Sequence, residues 1–386
     1  MAYRCLLVRE ALRSATEGWG HIKVWLGGNL VINRLLYCKE IVYLRFILEI
    51  IMNIHHFKCI AWLTVSLLLS CCGKGKSGLS AQNNDTKVQT VDVPTFNADS
   101  AYAYVGRQVE FGPRVPNSEA HRACGDYLVN KLKEFGALVY EQCDVVEAFD
   151  GTPLNMRNII GAYQPESRKR VLLCAHWDCR PWSDNDPDER NFFTPVDGAN
   201  DGASGVGVLL EVARQIQQKQ PTIGVDIIFF DTEDYGVPMF LDGVSSEDSW
   251  CLGSQYWART PHVPDYNARF GILLDMVGGE GATFYREGLS EDYASAINEK
   301  VWNKAHEIGY ANYFPKQRGG YVTDDHLYIN YFARIPCIDI IPMMRDSKLS
   351  TFGDTWHTVN DNMDHIDRNT LKAVGQTVLE VLYNEK

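Results

Sequence analysis

The hydrophobic positions of this chain follow two rhythms that alternate along its length. Short β-rich, mostly apolar runs, "RNIIGAY" (157–163), "VLLCA" (171–175), "IIFF" (227–230), "ILLD" (272–275) and "IPCIDIIP" (335–342), predict strands. Most lack polar residues at every second position, so these strands should be covered on both faces. Between them, apolar residues recur every three or four positions and predict helices. These are "NSEAHRACGDYLVNKLKEFG" (117–136), "GASGVGVLLEVARQIQQ" (202–218), "SEDYASAINEKVWNKAHEIG" (290–309), the short "DDHLYINYFAR" (324–334) and "NTLKAVGQTVLEVLYN" (369–384). The first carries a stripe through Ala123, Tyr127, Leu128, Leu132 and Phe135, with Asn117 or Ser118 to cap it and Gly136 to stop it. Strands alternating with helices predict a three-layer α/β/α sandwich around a central mixed, mostly parallel sheet. One domain over residues 96–386 accounts for the pattern.

The front of the chain reads differently. From Met52, "MNIHHFKCIAWLTVSLLLSCCGKGKSG" places Lys58 before an eleven-residue apolar run, Cys59 to Leu69. That length suits a signal segment and is too short to span a bilayer. "LLSC", ending at Cys71, resembles a lipobox, so residues 52–71 are expected to direct export and Cys71 to be acylated. The product would be a periplasmic or cell-surface lipoprotein. Residues 72–95 are polar and read as a flexible tether. Residues 1–51, including the amphipathic "IVYLRFILEII" (41–51), read as an upstream extension.

Composition then removes some functions. The first seventy residues carry eight Lys/Arg against four acids, leaving 29 of the 37 bases and 45 of the 49 acids to the remainder, a formal charge of −16. Such a body does not track a nucleic-acid backbone. Six cysteines fall in the body, without CxxC spacing or a zinc-finger pattern, and an exported chain could hold one or two disulfides. No HExxH, GxSxG or Walker loop is present, and "GASGVG" is not GxGxxG. Its glycines are expected to let a helix lie close on the sheet. Cys174, inside an apolar run, reads as core.

The candidate chemistry sits where strands end. "CAHWD" finishes on His176 and Asp178, "FFDTED" on Glu233 and Asp234, and "ILLD" on Asp275, while Asp201 stands just before a helix. Ligand sites in open α/β sheets form outside the carboxyl ends of the strands. Carboxylates crowded together need a compensating cation. With no basic cluster beside them in sequence, a divalent metal is the natural choice. Histidine, including His357 in "DTWHTVNDN", narrows it to zinc, and an open coordination position would make the zinc catalytic. Asp231 reads as a turn or supporting acid. His121, His262, His306, His326 and His365 read as structural or surface residues.

"CAHWD", "DGANDGASG", "FFDTED", "LLDMVGG" and "WHTVNDN", in this order and spacing, resemble the zinc aminopeptidase superfamily over about 290 residues. Within it the chain most resembles the zinc-dependent glutaminyl cyclases, which convert N-terminal glutamine of peptides or proteins to pyroglutamate and release ammonia. The resemblance implies Asp201, Asp234 and His357 as ligands of one zinc ion and Glu233 as the general acid/base. It implies Asp275 and Asp324 as an acid network beside it, with Trp356 and Phe352 shaping the glutamine pocket. Where the cyclases carry Glu–Glu this chain has Glu233–Asp234, a ligand shorter by one methylene. The alternative is a zinc aminopeptidase with one or two zinc ions, the second held by His176 and Asp275 with Asp201 bridging and Asp178 behind. Three features favour the cyclase: the insertion "YGVPMFLDGVSSEDSWCL" after Asp234, the segment "DDHLYI", and the aromatic beside the ligand histidine in "TWHT". A monomer is expected.

Overall fold

The computed structural model describes residues 24–26, 29–31, 91–245 and 248–386. Val24–Leu26 and Asn29–Val31 pair antiparallel in a unit of their own. The expected signal segment, the lipobox cysteine, the 41–51 helix and most of the tether lie outside the described residues. Among the described residues no helix is long and apolar enough to cross a membrane.

Val88–Lys386 forms the second compact unit. In chain order it holds α1 (Ala98–Val109), α2 (Glu119–Glu134), β1 (Leu138–Glu147), β2 (Pro153–Tyr163), β3 (Arg170–His176) and α3 (Ala203–Gln218). There follow β4 (Gly224–Phe230), α4 (Leu252–Arg259), β5 (Gly271–Leu274), α5 (Gly288–Glu307), α6 (Asp325–Tyr328), β6 (Cys337–Ile340) and α7 (Arg368–Asn384). The sheet order is β1-β2-β4-β3-β5-β6. The β1–β2 and β2–β4 junctions are antiparallel and the other three parallel, as the mixed-sheet expectation required.

Side-chain parity builds the layers. Val171, Leu173 and Ala175 of β3 join Val225, Ile227 and Phe229 of β4 in a large core under α1, α2, α3, α5 and α7. Leu172 and Cys174 point the other way, with Ile228 and Phe230, into a smaller core with Trp257 of α4 and Ile329 beyond α6. Successive strand residues face opposite sides, so a run buried on both faces is apolar except where a polar residue has a buried partner, as Asp226 of β4 has in Arg170 of β3.

Register sets the level of the strand ends. Arg170 pairs with Gly224 and His176 with Phe230, and β5 joins β3 through Cys174 and Leu273. His176, Asp231 and Asp275 therefore emerge along one rim of the sheet. The helix after Asp201 comes close behind it: a Cβ on Gly205 would overlap the Leu274 carbonyl oxygen, and one on Gly207 would lie 2.6 Å from Val105 Cγ2. Glycine is what permits that approach. None of the six body cysteines forms a disulfide, and five of the six are buried; the core stands without the bridges the sequence allowed. α1, β1 and α4 are additions to the expected elements.

Candidate functional site

The strand ends and loops of the rim bring together side chains far apart in sequence. Asp201, just ahead of α3, Asp234, four residues past β4, and His357, on the loop after β6, offer donor atoms all within 4.8 Å of one another. His357 Nε2 lies 3.3 Å from Asp234 Oδ1 and 3.6 Å from Asp201 Oδ2. All three residues are buried. The trio closes with aspartate at position 234, so the missing methylene does not open the site.

A second trio shares Asp201. His176, the last residue of β3, places Nε2 2.9 Å from Asp201 Oδ1 and 3.1 Å from Asp275 Oδ1. Burial alone would lower the His176 pKa, but hydrogen bonds with Asp178, Asp201 and Asp275 raise it well above its usual value. Asp275 is pushed up to about 8 by burial and the Asp201 charge. Asp178 works on backbone: its oxygens accept from the N–H groups of Glu233 (3.1 Å) and Asp234 (3.2 Å), clamping the paired acids.

Glu233 stands beside both trios, its Oε2 3.8 Å from His176 Nδ1. Burial and the charges of Asp234, Asp324 and Asp325 raise its pKa well above the usual carboxyl range, against the opposing pull of His176. The Cys251 thiol donates to Glu233 Oε1 at 3.2 Å, and the Cys251 N–H donates to the Glu233 carbonyl at 2.9 Å. Asp324 caps α6 and shares a cluster with Glu233 and Cys251. Asp231 faces away, bonded to His121 (2.8 Å) and the Arg157 N–H (2.6 Å), which is the supporting role expected of it.

Asp201, Glu233, Asp234, Asp275, Asp324 and His357 open into a cavity of about 140 Å³ walled by Trp250, Trp356, Phe352, Met276, Val322 and Ile341. Trp356 stacks on His357 with centroids 3.7 Å apart, and Phe352 lies 5.1 Å from Trp356. Trp250 comes from the insertion, stacks towards His357 at 6.1 Å, and forms a wall that the sequence marked only as an extra segment.

The structure corrects one premise. A base does stand beside the acids: Arg180, 1 % exposed, makes a two-pronged pair with Asp184 (both contacts 2.6 Å) and donates to the Asp234 carbonyl at 3.0 Å. Asp184 in turn lies 3.4 Å from His357 Nδ1. Burial pushes Asp184 up, yet hydrogen bonds from Arg180 and His357 hold it well below the usual carboxylate range. Asp361, missed as well, accepts from the N–H groups of Asn200 (2.7 Å) and Asp201 (3.1 Å). Arg180 does not remove the need for a cation, because Asp184 neutralises it. Asp201, Glu233, Asp234 and Asp275 still outnumber the imidazoles, and the mixed oxygen and nitrogen donors fit zinc.

The family model for "Peptidase family M28" matches residues 158–382, and the chain belongs to that family. Within it the chain is similar to solved structures from Bacteroides thetaiotaomicron. One is a glutaminyl cyclase bound to N-acetylhistamine, 62 % identical, with TM-score 0.75, covering 76 % of this chain and 100 % of that one. Another, described as a leucine aminopeptidase precursor, is 62 % identical with TM-score 0.75, covering 77 % of this chain and 100 % of that one. The glutaminyl-peptide cyclotransferase of Bos taurus is 26 % identical over 306 residues, 70 % of this chain and 79 % of that protein.

Proposed function

We infer that the protein is a zinc-dependent glutaminyl-peptide cyclotransferase, acting on peptides or proteins with N-terminal glutamine. The observation that carries this reading is one small aromatic cavity into which a three-donor cation site and an unligated carboxylate, Glu233, both open. The likeness to a glutaminyl cyclase across that protein's whole length supports it.

Asp201, Asp234 and His357 would hold one zinc ion, which supplies Lewis acidity at the γ-carboxamide oxygen when bound. Trp356, Phe352 and Trp250 sandwich the side chain and keep water from the reacting carbon. Glu233, clamped through Asp178 and tied to Cys251, accepts the proton of the α-ammonium. The freed amine attacks the γ-carbonyl carbon of its own residue, so the nucleophile is tethered and much of the entropic barrier is removed in advance. Glu233 returns that proton to the departing nitrogen, the ring nitrogen gives up its second proton as the lactam forms, and the nitrogen leaves as ammonium; one C–N bond has formed and another has broken. Water is not consumed.

His176 belongs to the second trio, with Asp201 and Asp275. Its Nε2 lies 2.9 Å from Asp201 Oδ1 and 3.1 Å from Asp275 Oδ1, and elemental analysis of active protein tests the one-zinc reading, two ions per chain overturning it. The test is purified protein offered a Gln-peptide and an aminoacyl chromogen: the mass of ammonia lost from the first supports cyclase, and colour from the second overturns it in favour of aminopeptidase. Glu233→Gln should abolish turnover with zinc still bound, and full activity in that variant refutes its role. Export as a monomeric lipoprotein anchored through Cys71 is part of the same reading, resting on the sequence of residues 52–71, and radiolabelled palmitate incorporation tests the anchor.

A further inference from the structure

A ridge of aromatic side chains starts beside Asp234 and runs out to the surface. Tyr235 directly follows Asp234, and its ring lies 5.0 Å from that of Trp182. Phe240 lies 6.5 Å from Trp182, 5.6 Å from Phe192 and 5.1 Å from Phe193. Phe193 is 76 % exposed, and Met239, next to Phe240 in the chain, is 56 % exposed. Two separate segments build this surface, the loop after β3 and the insertion after Asp234. Exposed apolar residues contribute nothing to a core, and a contiguous patch of them marks a place where another molecule binds.

The ridge is pinned in shape. The Met239 N–H donates to Asp184 Oδ2 at 2.8 Å, the Leu241 N–H to the Pro238 carbonyl at 3.0 Å, and the Ser183 hydroxyl to the Thr194 carbonyl at 2.9 Å. Gly236 lets the insertion press against the cavity wall, since a Cβ there would lie 2.1 Å from the Trp250 ring. A surface held this way loses little freedom when it binds. It is also continuous with the glutamine cavity. The Arg180 guanidinium lies 4.6 Å from the ring of Trp250, a cavity wall, and 5.5 Å from that of Trp182. The two indoles are therefore at most about 10 Å apart, roughly three residues of extended chain. We propose that the ridge binds the substrate downstream of its N-terminal glutamine, taking large apolar or aromatic side chains at about the third to fifth positions. Asp150, Glu189 and Asp242, all exposed, flank these segments in sequence. Their charge opposes an anionic lipid surface or a second copy of this acidic body and leaves a peptide as the fitting occupant.

The proposal rests on the cyclase reading, which turnover of glutaminyl-alanine amide, too short to reach the ridge, decides separately. The full chain is assayed with a glutaminyl-tetraalanine amide and with the same peptide carrying phenylalanine at position three, four or five. At least one phenylalanine peptide should show kcat/KM raised about tenfold. The gain should lie mostly in KM, because the ridge holds substrate and transition state alike. In Phe193→Ser/Met239→Ser, changed only at exposed positions, the gain should shrink to within about twofold while the dipeptide amide turns over as before. Equal kcat/KM across the wild-type series overturns the proposal without recourse to any variant. A phenylalanine gain that survives in the double variant overturns it too. So does a flat series in which the wild type sediments with phosphatidylglycerol vesicles more than the double variant, or dimerises where the double variant does not; those results assign the ridge to a membrane or to a second copy.

Discussion

Arg180→Met is the perturbation that separates stability from chemistry at this site. Arg180 and Asp184 are buried and joined by two 2.6 Å contacts, so removing the guanidinium strands a carboxylate away from water. Breaking a buried pair from one side costs about 3–5 kcal/mol. A unit of roughly 300 residues has an unfolding entropy of about 0.6 kcal/mol per kelvin at roughly 2 cal/mol/K per residue. The melting temperature should therefore fall by about 5–8 °C. Removing both charges in Arg180→Met/Asp184→Leu should recover most of that loss, since the penalty lies in the unpaired charge. Metal retention should instead fall in the double variant, because His357 Nδ1 has then lost its carboxylate partner at 3.4 Å. Loss of such a partner weakens metal binding about 10–100-fold. Scanning calorimetry of the three proteins, beside zinc competition with a chromogenic chelator, reads both quantities. A double variant no more stable than Arg180→Met, or one with wild-type zinc affinity, refutes the reasoning.

Trp250→Ala removes the wall that stacks towards His357 and lies under Arg180, and should raise KM for Gln-peptides about tenfold, roughly 1.4 kcal/mol; steady-state kinetics measure it. Gly205→Ala drives a methyl group into the Leu274 carbonyl and should destabilise by about 1–3 kcal/mol, read by denaturant titration. Glu287 is pushed up by burial but held at about 2 by His326 and its backbone donors, below the 4.5 of an unfolded chain. Its contribution is thus complete above pH 4.5 and is lost as pH falls towards 2, so Glu287→Gln should flatten the stability–pH curve across that window.

Much of this was readable from the chain, for identifiable reasons. The strands β3 to β6 announce themselves because burial on both faces leaves them mostly apolar, with only Asp226 and Asp339 interrupting β4 and β6. Glu233, Asp234 and Asp275 stand out because acids at the ends of such runs are unusual, and Asp201 because it stands just before a helix beside them. β1 was silent: as an edge strand with one neighbour, it alternates poorly and holds its place through pairing with β2 from Leu138–Ala162 to Glu147–Pro153. α4 was silent too, since it starts from Cys251 in a left-handed conformation without a capping side chain. α1 did carry a signal, Asn97 capping Ser100. Arg180 and Asp184, which pair four residues apart, and Asp361 escaped because their bearing on the site lies in contacts with Asp234, His357 and Asp201 supplied by remote segments, and hydrophobic rhythm carries no information on pairing between loops. Trp250 was half-visible, as a residue inside an insertion whose purpose could be guessed but whose inward-facing indole could not.

The rim on which His176, Asp231 and Asp275 emerge has a consequence for how the enzyme fails. Its donors come from segments between His176 and His357 that only the assembled central strands hold together, so no excised fragment can retain a weakened version of the activity. Inactivation on heating should coincide with loss of near-ultraviolet dichroism from the buried indoles of Trp177, Trp257 and Trp302, a single event with no half-competent species between.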